Sequence, residues 1–109
     1  MVIIKNNVIT MTRGDTLETP VAIELESGKD FYPSNGDRIR FALKKRYSDP
    51  KPIIIKNIDG ENLILRLDAE ETKILSPGRY VYDIELTTAE GYVDTFIDRG
   101  EFYVTEEVY

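Results

Sequence analysis

Carboxylates are the side chains of this sequence with the greatest potential for chemistry, since it contains 20 Asp and Glu residues but neither His nor Cys. Two carboxylates facing each other across a cleft could hydrolyse a glycosidic bond, and several around one loop could bind calcium. A sandwich of 109 residues rarely encloses such a cleft, and residues 59–62 are too short a segment for an EF-hand. Binding of a calcium ion between loops remains an alternative, but the carboxylates mainly indicate a solvated, acidic surface.

Nucleophilic and cofactor-dependent catalysis find no support in the sequence either. The serines have no His partner, and none lies in a Gly-x-Ser-x-Gly elbow. Neither a Walker-type phosphate loop nor a dinucleotide fingerprint occurs. The lack of His and Cys also removes the commonest ligands of transition metals. We therefore expect a protein that is not an enzyme and that has no catalytic residues, no cofactor and, apart from the calcium alternative, no metal site.

The charge balance restricts the partners. A net charge of −6 disfavours nucleic acids and anionic membranes, because both attract Lys and Arg. No apolar run approaches the roughly 20 residues of a membrane-spanning helix. Proteins are therefore the expected partners. The Tyr content agrees, because Tyr is enriched at protein interfaces, and the side chains expected to point outward or lie near loops are Tyr47, Tyr92, Tyr103 and Tyr109.

Apolar and polar residues alternate along several segments, which is typical of strands with one buried face. Turn-forming residues separate these segments at roughly ten-residue intervals. We predict an all-β fold, an immunoglobulin-like antiparallel β-sandwich of about seven to nine strands, as one domain over residues 1–109. The predicted inward-facing residues are Leu17, Thr19, Val21, Ile23, Leu25, Ile39, Phe41, Leu43, Leu63, Leu65, Leu67, Tyr80, Tyr82, Ile84, Leu86, Phe102 and Val104.

One segment interrupts the alternation. Asp68 stands in a capping position, Glu71 follows three residues later, and Pro77 and Gly78 end the segment. The segment is too short for an independent helix. We predict a single helical turn near residues 68–75 that crosses between the two sheets.

The segment after this turn has the layout of a tyrosine corner, in which a Tyr near the start of the sixth strand bonds to backbone a few residues upstream. Tyr80 is the predicted corner residue. Tyr82 stands where an antibody domain has its second Cys, so its ring is expected to replace the disulfide in the core. An ordinary strand after an ordinary turn is the alternative.

Two groups of residues are candidate protein contacts. Ile53, Ile54 and Ile55 are apolar on both faces of a strand, which is consistent with a covered strand, with a sheet edge or with a partner surface. Arg38 and Arg40 begin a basic stripe that continues to residue 46. The stripe is either a solvated face paired with carboxylates across the sheet, or a dock for an acidic partner such as a second copy.

Four segments resemble the immunoglobulin-like N-terminal domain of phage baseplate upper proteins. These are residues 9–16 (ITMTRGDT), 35–45 (NGDRIRFALKK), 75–86 (LSPGRYVYDIEL), and the pair 91–95 (GYVDT) with 100–102 (GEF). In that family the domain leads into a longer polypeptide, whereas this sequence stops at Tyr109. A stand-alone protein and a domain cut from a longer one therefore both stay open.

The resemblance implies a structural protein of a bacteriophage or prophage tail, of the baseplate type, without catalytic residues or cofactors. It implies contacts with other phage structural proteins or with copies of the chain, as a homo-oligomer. The expected location is the virion tail or baseplate, after synthesis in the cytoplasm of the host bacterium. The alternative is a bacterial cell-surface or carbohydrate-binding β-sandwich module, which predicts exposed aromatic residues at loop tips, such as Tyr32 or Tyr92.

Overall fold

A computed structural model of the chain describes residues 3–5, 8–21, 33 and 35–107. The second half of the predicted strand 17–25 and the residue Tyr32 lie outside this part. Within the described residues the chain forms eight strands and one short helix, in the order β1 (Ile3–Lys5), β2 (Val8–Thr12), β3 (Leu17–Pro20), β4 (Arg38–Lys44), β5 (Ile54–Ile58), β6 (Ile64–Leu67), α1 (Ala69–Lys73), β7 (Gly78–Thr87) and β8 (Val93–Thr105).

The strands form two sheets. One has six strands in the order β1-β2-β8-β7-β4-β5, and the other consists of β3 and β6. The run β8-β7-β4-β5 opposed to the pair β3-β6 corresponds to strands G, F, C and C′ opposed to B and E in a variable-type immunoglobulin domain. The predicted class, an all-β immunoglobulin-like sandwich, is confirmed.

One strand pairing differs from the predicted antiparallel arrangement. β2 runs parallel to β8, with Ile9 opposite Phe102 and Met11 opposite Val104. No hairpin joins these strands, because they come from opposite ends of the chain. Their relative direction follows instead from the topology of the sandwich, in which the chain passes from β2 in the six-stranded sheet to β3 in the two-stranded sheet.

The core lies between the sheets and confirms the predicted alternation. Its centre is an aromatic cluster in which the ring centroid of Phe41 lies 5.5 Å from that of Tyr82 and 6.4 Å from that of Phe102. Burying a side chain of this size contributes roughly 1.5–3 kcal/mol. The surrounding buried residues include Ile9, Met11, Leu17, Ile39, Leu43, Leu65, Leu67, Leu75, Tyr80, Ile84, Leu86 and Val104.

Helix α1 forms where the sequence predicts a helical turn, and it links β6 in the small sheet to β7 in the large one. The Glu71 carboxylate accepts a hydrogen bond of 3.1 Å from the Asp68 backbone N–H. The buried Thr72 hydroxyl donates one of 2.7 Å to the Asp15 carbonyl oxygen. These two bonds fix a helix that would be unstable alone.

The segment between α1 and β7 contains the hydrogen bond that defines a tyrosine corner. The Tyr80 hydroxyl donates to the Ser76 carbonyl oxygen at 2.7 Å, while its ring is buried. Tyr82 is 2% exposed, and its ring takes the core position where antibody domains have a disulfide. Burial raises the pKa of Tyr82 to about 12.

Candidate protein-contact surface on the outer sheet face

The predicted contact arginines lie on the outer face, which is the side of the six-stranded sheet that points away from β3 and β6. Arg38 is opposite Thr87 on β7, and Arg40 is opposite Glu85. The Arg40 guanidinium donates a hydrogen bond of 3.2 Å to the Glu85 carboxylate. Both side chains of this ion pair are partly solvated, so it contributes little to stability.

A groove of about 300 Å³ runs along these strands, and each residue that lines it has a polar or charged side chain. The lining residues are Arg38, Arg40, Asn57, Glu85 and Thr87. The basic stripe in the sequence indicates the two arginines but not Asn57, Glu85 or Thr87. Their proximity follows from the strand order, since β4 lies between β5 and β7, and no local pattern encodes that order.

Of the three isoleucines predicted as contact residues, two lie at the surface and one lies in the core. Among the described strands, β5 lies at the edge of the six-stranded sheet, which agrees with one of the three alternatives for this segment. Ile53 is 43% exposed and Ile55 is 53% exposed, and Ile55 lies opposite Ala42 on the outer face. Ile54 is only 6% exposed because it points inward into the core. Its proposed role as a contact residue is therefore wrong.

Tyr47 adds an aromatic ring in the connection between β4 and β5 that also contains Ile53, and its side chain is 44% exposed. It borders a second groove, of about 120 Å³, together with Ala42, Lys44, Val81, Tyr82 and Asp83. We call Tyr47, Ile53 and Ile55 the apolar patch. It adjoins the charged groove, because β5 carries both Ile55 of the patch and Asn57 of the groove.

The basic stripe predicted from residue 38 to residue 46 is divided in the fold. Arg38, Arg40 and Lys44 share the outer face, and Lys44 donates a hydrogen bond of 2.9 Å to the Asp49 carbonyl oxygen. The Lys45 ammonium lies 4.4 Å from the centroid of the Tyr80 ring, which belongs to the core side. Only alternate residues of the stripe can therefore contact one partner.

The inner side of the edge strand β5 carries a paired charge. The Lys56 ammonium lies 2.8 Å from the Glu71 carboxylate on α1. The hydrogen bond from Lys56 is the main reason that the pKa of Glu71 is lowered below its usual value. A charged residue that points inward on an edge strand disfavours pairing with a further strand. The outer side of β5 is therefore better suited to contacts than its edge.

The carboxylate of Asp59 accepts hydrogen bonds from its own loop. Asp59 accepts hydrogen bonds from the Glu61 backbone N–H at 3.0 Å and from the Asn62 side chain at 3.2 Å. Among the described residues, no group of three or more His, Cys, Asp or Glu side chains is arranged to hold a metal ion. The described part of the chain also contains no helix long and apolar enough to span a membrane.

Comparisons with known proteins provide little beyond this geometry. No family model and no curated protein matches the chain. Among solved structures the chain is similar to CopC from Methylosinus trichosporium OB3b, with a TM-score of 0.40 and 22% sequence identity over 69% of this chain and 74% of that one. A TM-score this low gives no information about the function of this chain, so the described residues remain the basis for inference.

Proposed function

We propose that the chain is a structural protein of a bacteriophage or prophage tail, of the baseplate type, that assembles through protein–protein contacts on its outer face. It acts without catalysis or a cofactor. It is made in the host cytoplasm and becomes part of the virion. The observation that carries the binding role is the apolar patch of Tyr47, Ile53 and Ile55 on a well-packed sheet.

The patch supports binding because adjacent exposed apolar side chains are a feature of interaction sites. Tyr47 and Ile53 both lie in the connection between β4 and β5, and Ile55 follows two residues after Ile53 on β5, whereas Ile64 and Ile74 are exposed singly in other parts of the fold. A contact centre of aromatic and aliphatic residues with a charged rim is the usual anatomy of a protein interface. The charged groove beside the patch supplies part of such a rim.

The choice of a phage tail follows from the resemblance of residues 9–16, 35–45 and 75–86 to baseplate upper proteins. The second of these segments includes all of β4, and the third includes the tyrosine corner and most of β7. The resemblance therefore involves two of the three strands that line the charged groove.

A carbohydrate-binding module is the second candidate, and one observation favours it. Tyr92 is 69% exposed in the loop between β7 and β8, where an aromatic ring could stack on a sugar. Tyr92 lines none of the three grooves described for this fold, the third of which lies among residues 33, 35–37 and 59–61. A glycan array tests this candidate, and binding that is lost in Tyr92→Ala would replace the tail proposal.

The proposed function is tested by particle incorporation. A strain carrying the gene is induced or infected, particles are purified on a density gradient, and the chain is detected by mass spectrometry and immunogold labelling. We expect the chain at the tail of intact particles. Its recovery only in fractions without particles would contradict the proposal.

Complementation with two matched variants tests the role of the apolar patch. Ile55→Lys places a charge in the patch, whereas Ile74→Lys makes the same change at a side chain that is 66% exposed near the end of α1. We expect Ile55→Lys to lower incorporation at least about tenfold, since a buried contact is replaced by a charge, and Ile74→Lys to behave as wild type. Equal incorporation of both variants would show that the patch is not the contact.

A further inference from the structure

We propose that the outer face binds a second copy of the chain, with the two sheets packed face to face about a twofold axis parallel to the strands. The axis lies above the boundary between β4 and β7. This inference rests on the proposed function only for its place in tail assembly, because the self-association itself is a property of the isolated chain.

The charges of the outer face identify the partner. β4 presents Arg38, Arg40 and Lys44, and the neighbouring β7 presents Asp83 and Glu85. A basic partner would be repelled by the basic row, and an acidic partner would be repelled by the acidic row. A second copy presents both rows, and stacking β4 of one copy on β7 of the other brings Arg40 opposite Glu85 twice, while Arg38 and Lys44 come opposite Thr87 and Val81.

The direction of the twofold axis follows from the strand register. Arg40 and Glu85 lie directly opposite each other on adjacent strands. An axis parallel to the strands, between β4 and β7, stacks the β4 row of one copy on the β7 row of the other, so that Arg40 meets Glu85 of the second copy in two equivalent contacts. An axis perpendicular to the strands would stack β4 on β4 and bring basic residues together.

Face packing is preferred to strand addition at the β5 edge. In a symmetric edge pairing centred on Lys56, two Lys56 side chains would oppose each other on the inner side of the sheet. Lys56 also forms the ion pair with Glu71 that links β5 to α1. When two outer faces pack together, the Lys56–Glu71 ion pair on the inner side of β5 stays intact, and the apolar patch flanks the contact between the copies.

The expected affinity follows from the area of the face. Strands β5, β4, β7 and β8, spaced about 4.8 Å apart and about seven residues long, cover roughly 450 Å² of sheet plane in each copy. Both copies together approach only the lower end of specific interfaces, which begins at roughly 1,200 Å² of accessible surface. The net charge of −6 on each copy opposes association. We therefore expect a concentration-dependent dimer with a micromolar or weaker Kd.

Charge reversal gives a test that misfolding cannot imitate. The exposed pair of Arg40 and Glu85 contributes little to folding, and each reversal places like charges opposite each other on β4 and β7, so Arg40→Glu and Glu85→Arg should keep the wild-type circular dichroism and lower the Tm by no more than about 5 °C. Each variant alone places like charges across the twofold axis, and sedimentation equilibrium should show at least about tenfold weaker self-association. An equimolar mixture of the two restores opposite charges at both contacts and should associate within about threefold of wild type.

Three results would overturn the inference. One is a wild-type chain that remains monomeric up to millimolar concentration. Another is undiminished self-association of the two variants, and the third is a mixture that associates no better than its components. Because the measurement uses the purified chain, it is independent of particle incorporation. A dimer absent from virions would refute the proposed function alone, and a monomer present in virions would refute only this inference.

Discussion

Gly100 on β8 leaves room for the central aromatic ring of the core, and Gly100→Ala tests this arrangement. Gly100 lies directly opposite Tyr82 in the pairing of β7 with β8. A Cβ atom at position 100 would stand 2.5 Å from Cε1 and 2.8 Å from Cε2 of the Tyr82 ring. Both distances are shorter than van der Waals contact, so an alanine requires the ring or the strand to move.

The ring has little freedom to move. Tyr82 is 2% exposed, and its centroid lies 5.5 Å from that of Phe41 and 6.5 Å from that of Phe102. Forcing an extra carbon into a packed core costs about 1–3 kcal/mol. The lower conformational entropy of unfolded alanine returns about 0.4–1 kcal/mol. We therefore expect Gly100→Ala to lower the free energy of unfolding by about 1–2 kcal/mol.

Urea unfolding followed by circular dichroism measures this loss, and a double-mutant cycle assigns it to the ring. Tyr82→Leu removes the ring atoms that approach position 100, so Gly100→Ala should be close to neutral in that background. Gly60→Ala is the matched control, because a Cβ there would lie at 3.4 Å from Pro33, an ordinary contact. If Gly100→Ala lowers the free energy of unfolding by the same amount with Tyr and with Leu at position 82, the explanation is refuted.

Three further predictions concern hydroxyl and carboxyl groups in the fold. Tyr80→Phe removes the hydrogen bond to the Ser76 carbonyl oxygen, and urea unfolding should show a loss of about 1 kcal/mol with no change in secondary structure. The lowered pKa of Glu71 means that its ion pair with Lys56 stabilises the fold above the ordinary Glu value of 4.5 and is lost as the pH falls through the folded value. Glu71→Gln should therefore flatten the decline of the urea midpoint in acid, and an unchanged acid profile would contradict this assignment. Burial favours the protonated hydroxyl of Tyr82 and raises its pKa from 10.0 to about 12. The stability that this raised pKa gives to the fold is fully present below pH 10.0 and is lost as the pH rises towards about 12. Titration of the urea midpoint should show a shallower alkaline decline in Tyr82→Phe than in wild type.

Residues on the strands show which parts of the fold can be predicted from local pattern. The alternation places Ile39, Phe41 and Leu43 on the buried side of β4 and Arg38 and Arg40 on the other, as observed. The capping pattern and the tyrosine corner are equally local, because each depends on residues within a few positions of one another. Ile54 shows the limit of this reasoning, since three consecutive isoleucines give no alternation from which to choose the inward residue.

The candidate surface depended on contacts between strands far apart in the sequence. Arg40 meets Glu85 and Asn57 only because β4 lies between β7 and β5. Several strands share the same alternation, so the pattern alone cannot specify which of them become neighbours. Packing of the whole core selects one strand order.

Local sequence pattern is enough to predict a β-sandwich, the buried face of each regular strand and the start of the helical turn. These features follow from a two-residue side-chain period and from hydrogen bonds between near neighbours. The parallel direction of β2 against β8, the position of Gly100 beneath the Tyr82 ring and the adjacent rows of opposite charge on the outer face depend on the complete fold. The reason is that these contacts join distant segments, whose pairing is chosen by the fit of the complete core.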